Sequence, residues 1–313
     1  MRRVVITGAS GFIGSALARK LTELGVETHV VVRPGSVVDL PSSVRVHRLD
    51  DCLEPLQFLL TTLRPEVVFH LASLVLVEHQ PKQAEALVAS NILFGTRLLE
   101  AMLQAGCQRL VNTGTSWQHF GGPGYRPVNL YAATKQAFED ILLYYHDACS
   151  LSSITLRLFD TYGPRDHRRK LANILLEAAW SGEVLEMTPG EQVIDISHID
   201  DVVAAFVLAG ERLCDAETEP ILEDYLVSGE RYTLRELVAL ASAAFGRDIQ
   251  AVFGGRPYRE REVMVPVCAD GRLLPGWTPS VGLIDGLSRL AATHERGKLV
   301  TKSGLQNTKV HHD

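Results

Sequence analysis

The chain has 313 residues, 46% of them hydrophobic and 22% charged, which suits a globular protein of one large domain or two sharing a core. A formal net charge of −6 at pH 7 excludes the broad basic field that nucleic acid or an anionic membrane surface would require. Its five cysteines (Cys52, Cys107, Cys149, Cys214 and Cys268) are scattered with no CxxC pair, so no disulfide framework and no metal site is expected in a reduced, cytoplasmic protein.

The apolar run after Met1-Arg2-Arg3 stops at Thr7, short of a secretory core, and no later stretch reads as a membrane span. Val4–Ile6 reads as a buried strand, Gly8-Ala9-Ser10-Gly11 as a tight turn, and Ile13–Leu24 as an amphipathic helix stopped by Gly25. Strands follow at His29–Val32, Val44–His47 and Pro65–Leu71. A helix spans Leu87–Gln104, then come a strand at Arg109–Asn112, a helix over Ala132–His146 and a strand at Ser153–Leu158. This alternation implies right-handed βαβ units: an α/β, Rossmann-type, doubly wound parallel sheet. Beyond Phe159 it fades into a basic loop (163–170), a helix at Leu171–Ser181, a strand at Val193–Ser197 and a helix over Asp200–Glu211. A capping box at Thr233-Leu234-Arg235-Glu236 opens a further helix. The expected division is a dinucleotide-binding domain over 1–158 plus roughly 193–228. A smaller C-terminal substrate-binding lobe takes 159–192 and 229–294, and 295–313 is a polar, frayed tail.

Chemistry concentrates in three places. Gly8, Gly11 and Gly14 sit between the first strand and the first helix, where a tight turn and free helix amides suit a pyrophosphate. Tyr131 and Lys135 stand four apart on one helix face, so an ammonium can ease proton exchange at a phenol. Strand two ends in Arg33 and Ser36 instead of the carboxylate that binds an adenosine ribose, and a guanidinium there suits a 2′-phosphate. The cofactor expected is therefore NADP(H) rather than NAD(H).

The run Thr7-Gly-Ala-Ser-Gly-Phe-Ile-Gly14 resembles the cofactor loop of the extended short-chain dehydrogenases, which include sugar-nucleotide epimerases, dehydratases and 4-ketoreductases. The likeness continues through His70-Leu71-Ala72-Ser73, Asn91 to Thr96, Tyr131-xxx-Lys135, Leu156 to Pro164 and His198-Ile-Asp-Asp-Val202. It implies that Gly8, Ser10, Gly11, Phe12, Ile13, Gly14, Arg33, Ser36, Asp50 (or its neighbour Asp51), Leu71, Ala72 and Lys135 hold the cofactor. It also implies that Thr115 joins Tyr131 and Lys135 in catalysis. Where relatives that dehydrate carry Thr-Asp-Glu, this chain has Thr115-Ser116-Trp117, and neither a serine hydroxyl nor an indole can expel water by acid–base work. Ser116, Trp117, Asp160, Arg165 and Arg259 are implied for the substrate, a nucleotide-diphosphate sugar. Ile194 departs from the family's second diphosphate arginine, which leaves Arg165, Arg168, Arg169 or Arg261 to compensate, and Asp160 stands where many relatives have asparagine. The short Thr115-to-Tyr131 connection is similar to that of 4-ketoreductases such as CDP-paratose and CDP-abequose synthases. The resemblance thus implies NADPH-dependent reduction of a 4-keto-6-deoxyhexose by a homodimer. An epimerase with tightly bound NAD and a non-catalytic cofactor sensor are the alternatives.

Overall fold

The structure, a computed structural model, describes residues 1–122, 124–215, 219–267 and 272–306. Strand β1 (Arg3–Thr7) is a β-branched run buried from Val4 onward, as a strand covered on both faces must be. Helix α1 (Phe12–Glu23) buries Phe12, Gly14, Leu17, Ala18 and Leu21 at helical spacing. Gly25, with φ of 79°, ends it, and the Val26 amide donates back to the Leu21 carbonyl. After β2 (Glu27–Val32) and β3 (Arg45–Arg48) comes α2 (Leu53–Leu63), a helix the sequence pattern did not predict because Pro55 reads as a breaker. Proline is tolerated in a first helical turn, where its missing N–H has no partner to lose.

Strand β4 (Val67–His70) leads to α3 (Ala84–Val88), a π-turn over Ala89–Leu93, and α4 (Phe94–Gln104), in place of the single helix expected over Leu87–Gln104. Contrary to expectation, the stretch Pro81–Gln104 is long and apolar enough to cross a membrane, but Leu87, Leu98, Leu99 and Met102 are buried in the core. Strand β5 (Arg109–Thr115), helix α5 (Leu130–Cys149) and strand β6 (Ser152–Leu158) complete the N-terminal half.

In the C-terminal half, β7 (Asp160–Tyr162), α6 (Leu171–Ser181), β8 (Leu185–Met187) and β9 (Val193–His198) precede α7 (Ile199–Asp215) and β10 (Leu222–Val227). Then come β11 (Glu230–Thr233), α8 (Leu234–Phe245), β12 (Ala251–Phe253) and α9 (Leu283–Gln306). The large sheet is parallel throughout, in the order β10-β6-β5-β4-β1-β2-β3. Strand order reverses between β1 and β4, so the crevice for a ligand opens at their C-terminal ends. Strand β9, expected with the nucleotide domain, pairs instead with β7 and β11 in a small sheet of the lobe. The residues of a single strand carry no mark of which sheet it will join. Helix α7 does return to the large sheet, and its buried Asp201 accepts hydrogen bonds from Ser280 and Val281, tying the C-terminal segment to it. Part of the expected tail, up to Gln306, is the end of α9, and 307–313 lie outside the described residues.

Candidate active site

Where β1 runs out, the chain must turn at once to enter α1. Gly8 makes the turn with φ of 77°, and a Cβ there would lie 2.5 Å from the Ala72 nitrogen. A Cβ on Gly14 would lie 2.4 Å from the Gly8 carbonyl oxygen, so α1 seats on the turn only because both residues are glycine. Gly11 caps α1 without a side-chain hydrogen bond, which leaves the first amides of the helix available to an anion. These residues fit a dinucleotide diphosphate.

Three hollows join along this edge of the sheet. The first, of about 380 Å³, lies over the ends of β1 and β2 and is lined by Ser10, Arg33, Asp51 and Ala72 among others. The second, of about 410 Å³, runs from Gly8, Gly11, Phe12, Ile13 and Gly14 past Leu71 to Thr115, Tyr131 and Lys135. The third, of about 620 Å³, opens into the lobe beside Arg259. Ser116, Trp117, Asp160 and Lys170 border both the second and the third, so these two form one continuous cleft.

Three residues named from sequence do not enter the cleft. Ser36 is absent from its lining, and its carbonyl accepts from Arg48 Nη1 at 2.7 Å. Asp51 and not Asp50 lines the first hollow. Arg165, with φ of 66°, turns away into a separate hollow between α1 and α7.

At the heart of the second hollow Tyr131 is buried, and burial pushes its phenol up to about 12 against the pull of hydrogen bonds with Thr115 and Ser73. Thr115 also caps the short turn after β5, its Oγ1 accepting from the Trp117 amide at 3.3 Å. The Trp117 ring meets Tyr131 edge-on, centroids 6.4 Å apart. Burial lowers the Lys135 ammonium to about 8, while Glu139, one turn further on, pulls it upward. His70, at the end of β4, is held neutral by burial, down at about 3, with its Nδ1 2.8 Å from the Thr7 hydroxyl.

Ser73 escaped the site assignment although it lies in a recognised segment, and Asn91 explains its place. Asn91 is buried in the π-turn. Its Oδ1 accepts from Ser73 Oγ at 3.0 Å and the Leu74 amide at 2.7 Å, while its Nδ2 donates to the Leu74 carbonyl and to Thr134 Oγ1. Thr134 in turn donates to the Tyr131 carbonyl at 2.7 Å. One amide thus ties the β4 loop to the helix bearing Tyr131. π-turns are frequent where a helix must aim a functional side chain.

In the third hollow Arg259 is already bidentate to Glu262, at 3.0 and 2.9 Å. Arg261 is spent on the Val128 and Pro127 carbonyls and lies 4.2 Å over the Phe120 ring. Asp160 finds a counter-charge in Lys170, at 3.9 Å, whose Nζ also sits 5.9 Å from the Trp117 ring centre. Arg169, Lys170 and Arg256 bring further cations to the hollow that Ile194 also lines. Arg169 was among the arginines left open for this role, Lys170 was marked only by the basic run at 163–170, and Arg256 gave no signal in the sequence.

A profile of the NAD dependent epimerase/dehydratase family matches residues 4–222. The chain is 27% identical to CDP-abequose synthase of Yersinia pseudotuberculosis, over 84% of this chain and 91% of that one. It is 28% identical to UDP-glucose 4-epimerase of Mycolicibacterium smegmatis, over 92% and 96%. Among solved structures, UDP-glucose 4-epimerase of Thermotoga maritima with UDP-glucose superposes with a TM-score of 0.82 at 25% identity, covering 95% of this chain and 99% of that one. The Thermus thermophilus UDP-glucose 4-epimerase complex with NAD gives 0.78 at 28% identity, covering 94% and 99%.

Proposed function

The chain belongs to the NAD dependent epimerase/dehydratase family, and from that premise we propose that it reduces the 4-keto group of a nucleotide-linked 6-deoxyhexose with NADPH. The observation that carries the reading is the meeting of Thr115, Tyr131 and Lys135 with the glycine turn in one hollow. A nicotinamide cofactor bound here would supply hydride to the carbonyl carbon. The chain's own residues manage the oxygen. Tyr131 keeps its proton at neutral pH and gives it to the developing alkoxide. Thr115 hydrogen-bonds the same oxygen, and the Lys135 ammonium favours the phenolate left behind. Lys135 would also hold the nicotinamide ribose, and Ser10 and Ala72 would line the adenosine side.

Arg33, at the end of β2, supports NADP(H) over NAD(H), because its guanidinium can pair with a 2′-phosphate. Ser116 and Trp117 offer no acid–base pair, which disfavours dehydration. Likeness to CDP-abequose synthase supports the ketoreductase assignment. In the lobe, Arg169, Lys170 and Arg256 are the cations we assign to the substrate diphosphate, with Arg259 held by Glu262 beside them. Asp160 orients Lys170.

A 4-epimerase is the second reading, favoured by the likeness to UDP-glucose 4-epimerases across nearly the whole chain. Offered a CDP- or dTDP-4-keto-6-deoxyhexose, the enzyme should consume one NADPH per sugar. Interconversion of 4-hydroxy epimers with flat NADPH absorbance would establish the epimerase instead.

A further inference from the structure

Arg168 lines the hollow of the glycine turn, and the reaction above gives it no task. It belongs to the loop between β7 and α6, yet its guanidinium carbon lies 4.8 Å from the centre of the Phe12 ring, at the first residue of α1. The side chain is held from behind. Asp166, whose carboxylate is only 2% exposed, accepts from the Arg168 amide at 3.0 Å, from Nε at 2.7 Å and from Nη2 at 2.8 Å. Nη2 also donates to the Thr161 carbonyl at 3.2 Å, anchoring the group to β7. Nη1 is left without a protein partner among the described residues, on a guanidinium already fixed in position. A preorganised cation loses little conformational freedom on binding an anion.

We propose that Arg168 clamps the diphosphate of the dinucleotide, its Nη1 edge bonding the phosphates seated on the α1 amides, so that the loop of the C-terminal lobe helps to retain the cofactor. The proposal rests on the family's dinucleotide occupying the glycine turn. Arg168 then slows cofactor release, whichever sugar is turned over.

The test needs no substrate. ADP-ribose carries the diphosphate and adenosine does not, so their affinities for the unmutated protein, Arg168→Gln and Arg168→Ala separate a phosphate contact from a general disturbance. Calorimetry serves for ADP-ribose and ligand-detected magnetic resonance for adenosine, with melting temperature as the folding control. We expect both variants to bind ADP-ribose about tenfold or more weakly, the loss typical of a charge-assisted hydrogen bond. Adenosine should change by less than about twofold, and NADPH should leave the variants faster in stopped flow. Unchanged ADP-ribose affinity, or equal weakening of both ligands, overturns the clamp and leaves the dinucleotide site standing. If the unmutated protein binds neither ADP-ribose nor NADPH, the dinucleotide reading falls and takes the clamp with it.

Discussion

Tyr131 can act as an acid only while it holds its proton, and burial ensures that by raising the phenol to about 12. Lys135 carries the opposite sensitivity. Its value is lowered to about 8, chiefly by burial, so its charge is present at pH 7 and lost as pH rises through that value. Reduction should therefore hold level from about pH 6 to 7.5 and fall roughly tenfold per unit on the alkaline side, as expected for loss of one required charge. A kcat/KM profile that stays flat to pH 10 would contradict this role for Lys135. At the other end of the cleft, Arg33→Ala should weaken NADPH by about ten- to a hundredfold while moving NADH less than about twofold, read by fluorescence titration. Equal affinity of the unmutated protein for both cofactors would rule out the 2′-phosphate contact. The residues legible in sequence are those whose spacing is set by a regular element, such as the glycine turn and the Tyr131/Lys135 pair. The choice between Asp50 and Asp51, and among the loop arginines Arg165, Arg168 and Arg169, stayed open in the sequence, because loops lack a periodicity that would tell inward from outward.

Among the elements, the π-turn is the least expected, since one extra residue in a helix leaves hydrophobic spacing almost unchanged. Its trace in the sequence is Asn91, a polar residue on an otherwise apolar buried stripe. Asn91→Leu keeps the branched shape, though not the smaller size, and strands the Leu74 amide and carbonyl. We expect a loss of about 2 to 3 kcal/mol in urea denaturation, together with a slower reaction, because buried groups left without partners bear their full desolvation cost. A change below about 0.5 kcal/mol would show that water replaces the side chain and that the junction is not structural. Most strands of the large sheet were legible for a simple reason: runs such as Val4–Ile6 and Val67–Phe69 are buried on both faces and can hardly be anything else. Helix α2 was hidden by Pro55, and the residues of β9 do not mark which sheet it joins.

At the scale of the whole molecule, the outer faces of α3, its π-turn and α5 expose Val88, Leu93, Leu143 and Tyr144, at 44 to 63% of their surface. Such apolar groups on neighbouring helices suit a self-complementary interface, and the expected homodimer would bury them. Light scattering at micromolar concentration should give twice 34.4 kDa, and Leu143→Glu with Tyr144→Glu should return it to one. A monomer in the unmutated protein would count against that assembly. The central claim concerns where a hydride goes, and an isotope reports on it directly. The enzyme is given a CDP- or dTDP-4-keto-6-deoxyhexose and NADPH deuterated at the transferable position, and the sugar nucleotide is analysed by mass spectrometry. We predict one deuterium at C4 of each product molecule and one NADP formed for each, with Tyr131→Phe slower by a factor of about 10² to 10⁴. An unlabelled sugar, or a 4-hydroxy sugar nucleotide turned into its epimer with the NADPH untouched, would contradict it.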